Sequence, residues 1–180
     1  MRASGAIPIV KTTLPQAMMV PESSNAIHGV CGNAWDPARC SGGSSGGEGA
    51  MVGARGTVLG FGGDVGGSLR SPAAYNGLVT IKPCFRRVTK AGFTKPFGPP
   101  FANARGRCFD GREIIQFVAG PITRTVADAR LAFSVLASPP PSLADPILPP
   151  MPFRDDAGLF CGRPAGPETG AGSGSQKQVQ

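Results

Sequence analysis

The apolar residues of this chain are gathered into short runs that alternate with polar or glycine-rich segments. Residues 6–10, 57–61 and 78–82 are such runs, and Pro83 follows the last of them. Runs of this length, rich in branched aliphatic residues, are typical of strands that are buried on both faces of a sheet. The pattern therefore predicts three strands, with a tight glycine turn at residues 62–67 after the second strand.

Helices are predicted between these strands from residues that favour helix ends. Ser45 followed by Glu48 matches a capping box, so a helix should begin at this point. Ser71 followed by Pro72 predicts the cap and the first residue of a second, very short helix, and Gly77 should terminate that helix.

A third helix is predicted after Thr125, where apolar residues recur at helical spacing: Val126, Ala129, Phe133 and Leu136. Strands that alternate with helices predict an α/β fold, with a mixed or parallel sheet covered by helices. The first strand follows closely on Met1, with no element before it to cover it. We therefore expect a core that is incomplete at both ends.

Composition divides the chain into three regions. Residues 1–137 contain all the predicted strands and helices and should form the core. Residues 138–154 include seven prolines, which predict an extended linker. Residues 155–180 are mostly glycine, serine, proline and polar residues, so we expect them to be disordered. The 27 glycines and 19 prolines exclude a helical bundle.

The positive charge of the chain is concentrated in one stretch. The formal net charge is +7, and residues 82–112 contain eight basic residues against a single acidic one. Such a stretch could bind nucleic acid or anionic lipid, which would make the chain a basic binding module. We favour an ordinary solvated loop surface and expect no nucleic acid partner, because charge runs are usually solvated.

Cysteine and histidine are sparse and poorly placed for metal binding. The five cysteines are odd in number and never spaced as CxxC, and His28 is the only histidine. No structural zinc and no other cofactor is predicted. The chain has no secretory apolar region and no run of about 18 apolar residues. These features favour a reduced, intracellular setting, either cytoplasmic or membrane-associated.

The glycine- and serine-rich segment at residues 42–77 is the candidate for chemistry. A phosphate-binding P-loop needs a lysine followed by Ser or Thr, which this segment lacks. Three glycines spaced as GxGxxxG resemble a dinucleotide fingerprint, but residues 39–43 are too polar for the required strand. Residues 42–46 match a nucleophile elbow around Ser44, whose histidine should follow it, whereas His28 precedes it.

A serine nucleophile that works without histidine remains, and it requires another base and strong oxyanion stabilisation. Ser68 is the favoured candidate because it follows Val65, Gly66 and Gly67. Where side chains are missing, consecutive backbone N–H groups can turn towards a developing oxyanion.

Two blocks of the segment resemble a known family. GGSSGGEGA at residues 42–50, and DVGGSLR followed by SP at residues 64–72, resemble the signature of the amidase signature family of Ser-Ser-Lys hydrolases. Its fatty acid amide hydrolase branch is the most similar, judged from four further matches: LPQAM at 14–18, NAW at 33–35, GPITR at 120–124 and LPPMPFR at 148–154. The resemblance covers about residues 5–154. It implies hydrolysis of carboxamide bonds in a small-molecule or lipid amide, and it leaves membrane association and oligomeric state open.

The resemblance also implies roles for individual residues. Ser68 resembles the acylated nucleophile, and Ser44 resembles the bridging serine that relays its proton. The oxyanion hole would consist of the backbone N–H groups of four residues: Val65, Gly66, Gly67 and Ser68. Without the family match, Ser44 and Ser45 would read as helix-capping residues, and Gly66-Gly67 as a plain turn.

Three supporting residues and a missing one complete the implied site. The carbonyl of Met18 would lie near the substrate, and Asp64 and Arg70 would brace the turn as an ion pair. The third catalytic member of the family is an upstream lysine, which we expect before Met1, since Lys11 aligns beyond the lysine's segment. A second hypothesis is therefore that this chain is an inactive, truncated or mispredicted amidase fragment.

Overall fold

The computed structural model describes residues 1–89, 117–138, 148–149, 151 and 153–154. Two 3₁₀ turns, Arg2–Ser4 and Gln16–Met18, come first. The strands and helices are β1 Ser24–Asn25, β2 Gly29–Val30, α1 Gly46–Gly53, β3 Leu59–Asp64, α2 Arg70–Tyr75, β4 Val79–Thr80, β5 Val118–Thr123 and α3 Val126–Ala137.

Several sequence-based predictions concern residues outside these ranges. They include the tail at 155–180, most of the linker at 138–154 and most of the basic stretch at 82–112.

The main sheet contains β3, β5 and β4 in that order. Leu59 of β3 and Val79 of β4 both lie opposite Thr123 of the central strand, and both pairs are antiparallel. A separate antiparallel ladder joins β1 to β2. Helices α1 and α3 contact the main sheet of β3, β5 and β4, so the α/β class is confirmed. All ladders among the described strands are antiparallel: β5 runs against both of its neighbours, and β1 runs against β2.

The core is built on β5. All six residues of this strand are buried, and Ile122 forms a fully buried cluster with Val52 of α1 and Leu69. The sequence pattern predicted no strand here, because Gly120 and Pro121 interrupt the apolar run and proline seldom occupies a central strand. The central position of β5 therefore follows from its packing against α1 and the neighbouring strands.

The prediction of a first strand at residues 6–10 is wrong. Residues 6–10 belong to no strand, and Ile7 is 84% and Ile9 67% exposed. Among the described residues nothing pairs with this segment, so its apolar composition alone does not make it a strand. The third predicted strand is also shorter than expected, since β4 includes only Val79–Thr80.

The second predicted strand is displaced along the chain. β3 begins at Leu59 and continues to Asp64, so Gly62 and Gly63 lie in the strand rather than in the predicted turn. The ring of Phe117 occupies the space where a side chain at Gly63 would lie. Glycine is required there by close packing, and the turn itself begins only after Asp64.

The three predicted helices are all present, although the residues that cap them are partly different from those predicted. Helix α1 begins directly after Ser45, as predicted. Helix α2 begins at Arg70 instead of after Ser71, and Pro72 occupies its third residue, where a missing N–H breaks no helical hydrogen bond. Gly77 follows α2 with a φ of 66°, as its terminating role requires.

Helix α3 begins after Thr125, whose side chain accepts a hydrogen bond from the N–H of Asp128. Its buried residues are Ala129, Ala132 and Ala137. Val126, predicted to face the core, is 62% exposed, and the buried face of α3 is formed by these alanines instead.

Candidate active site

The turn after β3 is organised around the carboxylate of Asp64, which is fully buried. Its Oδ1 accepts a hydrogen bond from the N–H of Gly67 at 2.9 Å, and its Oδ2 accepts from the N–H of Leu69 at 3.1 Å and of Arg70 at 3.4 Å. The N–H groups at a helix start have no acceptor within the helix. The carboxylate therefore caps α2 and holds residues 65–69 in a tight turn.

Arg70 adds a two-pronged ion pair to the same carboxylate. Its Nε donates to Oδ2 at 3.1 Å and its Nη2 to Oδ1 at 3.0 Å. Burial acts to raise the pKa of Asp64, but the hydrogen bonds and the charge of Arg70, with the two backbone N–H groups, outweigh it, and the pKa is lowered. Asp64 therefore stays ionised while it organises the turn.

Ser68 lies within this turn and is only partly buried. Its backbone carbonyl accepts a hydrogen bond from the N–H of Ser45 at 3.1 Å. Ser44, which directly precedes Ser45, is buried, with 6% of its surface exposed. The structure thus joins the turn of Ser68 directly to the loop of Ser44, although 24 residues separate the two serines in the sequence.

The backbone N–H groups of the turn are not equivalent. Gly67 donates its N–H to Asp64, so this group is already occupied. Within the described part of the chain, the N–H groups of Val65, Gly66 and Ser68 have no hydrogen-bond acceptor. Val65 and Gly66 are exposed, and a side chain added at Gly66 would meet nothing within 4 Å. Gly67 therefore differs from the other three predicted donors, and the binding of an oxyanion by this turn stays a prediction.

The loop before α1 carries Ser44 and is closely packed. The peptide bond between Gly43 and Ser44 is cis. A side chain at Gly43 would lie within 3.0 Å of the backbone of Pro21 and Glu22, so this position accepts only glycine. Residues 41–47 are buried throughout.

The predicted capping box is absent, although the helix begins where it was expected. Ser45 makes no side-chain cap hydrogen bond, and Glu48 accepts from Thr12 Oγ1 at 2.9 Å rather than from Ser45. The hydroxyl of Ser23 instead accepts from the N–H of Gly46 at 2.9 Å. Sequence reasoning missed Ser23, because no local pattern relates it to an N–H group that lies 23 residues further on.

Glu48 is a residue of α1, and its side chain lies between β3 and the N-terminal segment. Burial raises its pKa, and hydrogen bonds from Thr12 and from the N–H of Phe61 oppose that shift only partly. An added side chain at Gly60 would collide with Glu48, so β3 passes close to this carboxyl group. Glu48 is therefore a half-buried acid that is held by neutral donors, unlike Asp64.

Met18 occupies an unusual backbone conformation. Ala17 and Met18 have φ values of 58° and 55°, in the left-handed region that costs a non-glycine residue about 1–2 kcal/mol. The N–H of Met18 donates to the carbonyl of Pro15 at 3.2 Å. No hydrogen bond within the described ranges joins Met18 to Ser44 or Ser68, so its predicted substrate contact stays a prediction.

The described residues include two lysines, Lys11 and Lys82, and both are exposed. Neither hydrogen-bonds to Ser44 or Ser68. Over the same residues, no group of three or more His, Cys, Asp or Glu side chains could hold a metal ion. No described helix is long and apolar enough to cross a membrane.

Comparison with known proteins gives consistent matches. A family model described as Amidase matches residues 1–157. Fatty-acid amide hydrolase 1 of Sus scrofa is 36% identical over 87% of this chain and 25% of its own length. Acetamidase of Aspergillus oryzae is 38% identical over 86% of this chain and 26% of its own length. A solved structure of fatty acid amide hydrolase superposes with a TM-score of 0.69 and 35% identity, over 81% of this chain and 24% of that one.

The resemblance predicted from the two glycine-serine blocks is therefore confirmed. The chain spans about a quarter of the length of the curated relatives it matches.

Proposed function

Because the chain belongs to the amidase family, we propose that it supplies the nucleophile, the proton relay and the oxyanion donors of an amide-hydrolysing site. The observation that carries this proposal is the hydrogen bond from the N–H of Ser45 to the carbonyl of Ser68. It places the loop of one candidate serine against the turn of the other.

In the proposed reaction, Ser68 Oγ bonds to the carbonyl carbon of the amide and gives its proton to Ser44 Oγ. The carbonyl oxygen becomes negative and binds to the free N–H groups of Val65, Gly66 and Ser68. Removal of one oxyanion-hole donor typically costs about 2.7–4 kcal/mol of transition-state stabilisation. The amine then departs with a proton from the relay, and water releases the acid from Ser68.

As Ser44 Oγ takes up the proton of Ser68, it gives its own proton to a base, and the base later returns a proton through Ser44 to the departing amine. The resemblance implies a lysine, kept neutral by burial. Lys11 and Lys82 are exposed and make no hydrogen bond to Ser44, so neither fits that role. We propose that polypeptide outside the described residues provides the lysine.

The proposed substrate class is an acyl amide. Relatives of nearly equal similarity carry names that refer to a fatty-acid amide and to acetamide. Identity alone therefore supports the amide bond and leaves the acyl chain undecided. Rates for a series of primary amides, from acetamide to a long-chain amide, would assign the chain length.

The proposed nucleophile is tested by covalent labelling. The full polypeptide encoded by the gene is incubated with a fluorophosphonate probe, and the labelled residue is identified by peptide mass spectrometry. We expect labelling at Ser68, none in Ser68→Ala, and a strongly reduced rate in Ser44→Ala. Ser134→Ala, which changes a serine on α3, is the matched control and should label normally. Persistence of the label in Ser68→Ala would falsify the assignment.

A further inference from the structure

Ser23 makes four hydrogen bonds, and three of them hold the loop of Ser44. Its N–H donates to the carbonyl of Gly42 at 3.2 Å, and its carbonyl accepts from the N–H of Cys31 at 2.8 Å. Its hydroxyl donates to the carbonyl of Ser44 at 3.1 Å and accepts from the N–H of Gly46 at 2.9 Å. One fully buried residue thus contacts Gly42, Ser44 and Gly46, which lie on both sides of the Gly43-Ser44 peptide.

The packing around Ser23 leaves little freedom for this loop. The backbone of Pro21 and Glu22 approaches Gly43 too closely for any side chain. A side chain added at Gly46 would collide with Ser23 Oγ. The loop therefore lies directly on residues 21–23, and the hydroxyl of Ser23 adds two side-chain hydrogen bonds to the backbone bond between Ser23 and Gly42.

Ser41 offers a natural contrast to Ser23. It is equally buried, and its hydroxyl also lies beside Gly46. Ser41 Oγ, however, has no hydrogen-bond partner in the described part of the chain. Two buried hydroxyls thus border the same glycine, and only one of them binds the backbone of the loop.

We propose that Ser23 is a positioning residue of the site, which fixes the Ser44 backbone so that its hydroxyl faces Ser68. The proposal rests on the proposed function of Ser44 and Ser68. Ser23 lies outside the glycine-serine segment at 42–77, and it acts through Ser44 without touching the reacting atoms.

The physical reason is the dual character of a hydroxyl group, which donates one hydrogen bond while it accepts another. Removing Ser23 Oγ leaves a buried carbonyl at Ser44 and a buried N–H at Gly46 without partners, and such groups are strongly unfavourable. The loop can relieve this only by moving towards other partners. Movement of about 1 Å at a reacting group can lower a rate by about 100-fold.

The test compares Ser23→Ala with Ser41→Ala in the full polypeptide. Both variants delete a buried hydroxyl beside Gly46, but only the first removes hydrogen bonds to the loop. The readout is the fluorophosphonate labelling of Ser68 over a range of probe concentrations. We expect Ser23→Ala to lower the maximal labelling rate by about 10- to 100-fold, with little change in the half-saturating concentration.

Ser41→Ala should label like the wild type. Ser23→Cys, which nearly preserves the volume and offers only a weak donor and acceptor, should have an intermediate rate. Thermal unfolding of each variant identifies any that does not fold, and hydrogen exchange at the amide of Gly46 should accelerate in Ser23→Ala alone.

The outcomes separate this inference from the proposed function. If Ser68 takes up label and Ser23→Ala labels as fast as Ser41→Ala, the positioning role is overturned while the proposed function stands. If the wild type is not labelled at Ser68, the proposed function fails. Crystal structures of the two alanine variants then decide whether the Ser44 carbonyl moves in Ser23→Ala alone, and an unmoved carbonyl overturns the inference.

Discussion

The two loops that form the candidate site are held in different ways. The turn at residues 65–69 is arranged around a charge, because Asp64 accepts three backbone hydrogen bonds and pairs with Arg70. The loop of Ser44 is held by the neutral hydroxyl of Ser23 and by close backbone packing. An ionised organiser makes its loop sensitive to acid, whereas a hydroxyl does not titrate. Of these two organising groups, only Asp64 should therefore respond to pH.

The largest expected effect comes from removing the charged organiser. Asp64→Ala leaves the N–H groups of Gly67, Leu69 and Arg70 without their acceptor, so we expect the free energy of unfolding to fall by about 3 kcal/mol. Urea denaturation measures this change. Asp36→Ala is the matched control, because Asp36 pairs with Arg39 at the surface at 3.0 Å, and its loss should lower stability by less than about 1 kcal/mol.

The acid dependence of the charged turn follows from the lowered pKa of Asp64. The unfolded carboxyl group binds protons more readily than the folded one, so the stabilisation is complete above the ordinary pKa of 3.8. It is lost as the pH falls through the lower folded pKa. The free energy of unfolding, measured from neutral to acidic pH, should fall less steeply in Asp64→Asn than in the wild type, and equal slopes would contradict this view of the turn.

An intermediate loss of stability is expected when a side chain is added inside the loop of Ser44. Gly46→Ala places a methyl group against Ser23 Oγ and Ser41 Oγ, so we expect a loss of about 1–3 kcal/mol in the free energy of unfolding. Labelling of Ser68 should also slow, because the loop of Ser44 is displaced.

Gly66→Ala is the control for this change, since its methyl group would project into open space. Its stability should stay within about 0.5 kcal/mol of the wild type. If Gly66→Ala lowered stability as much as Gly46→Ala, the loss could not be attributed to the close packing around Gly46.

The smallest effect is expected at Glu48, the acid that neutral donors hold. Its raised pKa means that the folded carboxyl binds a proton more tightly than the unfolded one. The stabilisation from Glu48 is therefore present below its ordinary pKa of 4.5 and is lost as the pH rises through the folded pKa. Glu48→Gln keeps one oxygen acceptor, for the hydroxyl of Thr12, so at pH 7 it should unfold with a free energy within about 1 kcal/mol of the wild type.

The measurement for Glu48 is again chemical denaturation over a range of pH. The Gln variant should lack the decline in stability that Glu48 produces on the neutral side of its pKa. Glu48→Ala is the control, because it deletes the acceptor for both donors and should be less stable than Glu48→Gln at every pH. If Glu48→Gln unfolded as easily as Glu48→Ala, the view that uncharged hydrogen-bond donors hold the Glu48 side chain would be contradicted.

Features that depend on neighbouring residues could be predicted from the sequence. Asp64 and Arg70 lie six residues apart, and their ion pair needs only a tight turn between them. The start of α3, the presence of the short α2 and the terminating Gly77 also follow from local capping and turn chemistry. The glycine-serine blocks identify the family because a chemical site restricts residue types over a short segment.

Features that depend on distant residues could not be predicted in this way. The central position of β5 contradicts the usual avoidance of proline in such strands, and it results from packing on both faces. The apolar residues 6–10 read as a buried strand, but no described strand pairs with them. Ser23 replaces the predicted capping box through contacts that the one-dimensional pattern does not contain.

The sequence by itself thus determined the family, the identity of the candidate serines and the charged turn at Asp64. Only the tertiary structure decided that Gly67 donates to Asp64, that the N–H of Ser45 joins the two loops, and that Ser23 supports Ser44. The physical reason is that a hydrogen bond requires an approach of about 3 Å and a favourable angle. Residue type reveals which groups can donate or accept, but the folding of distant segments against one another determines which of them meet.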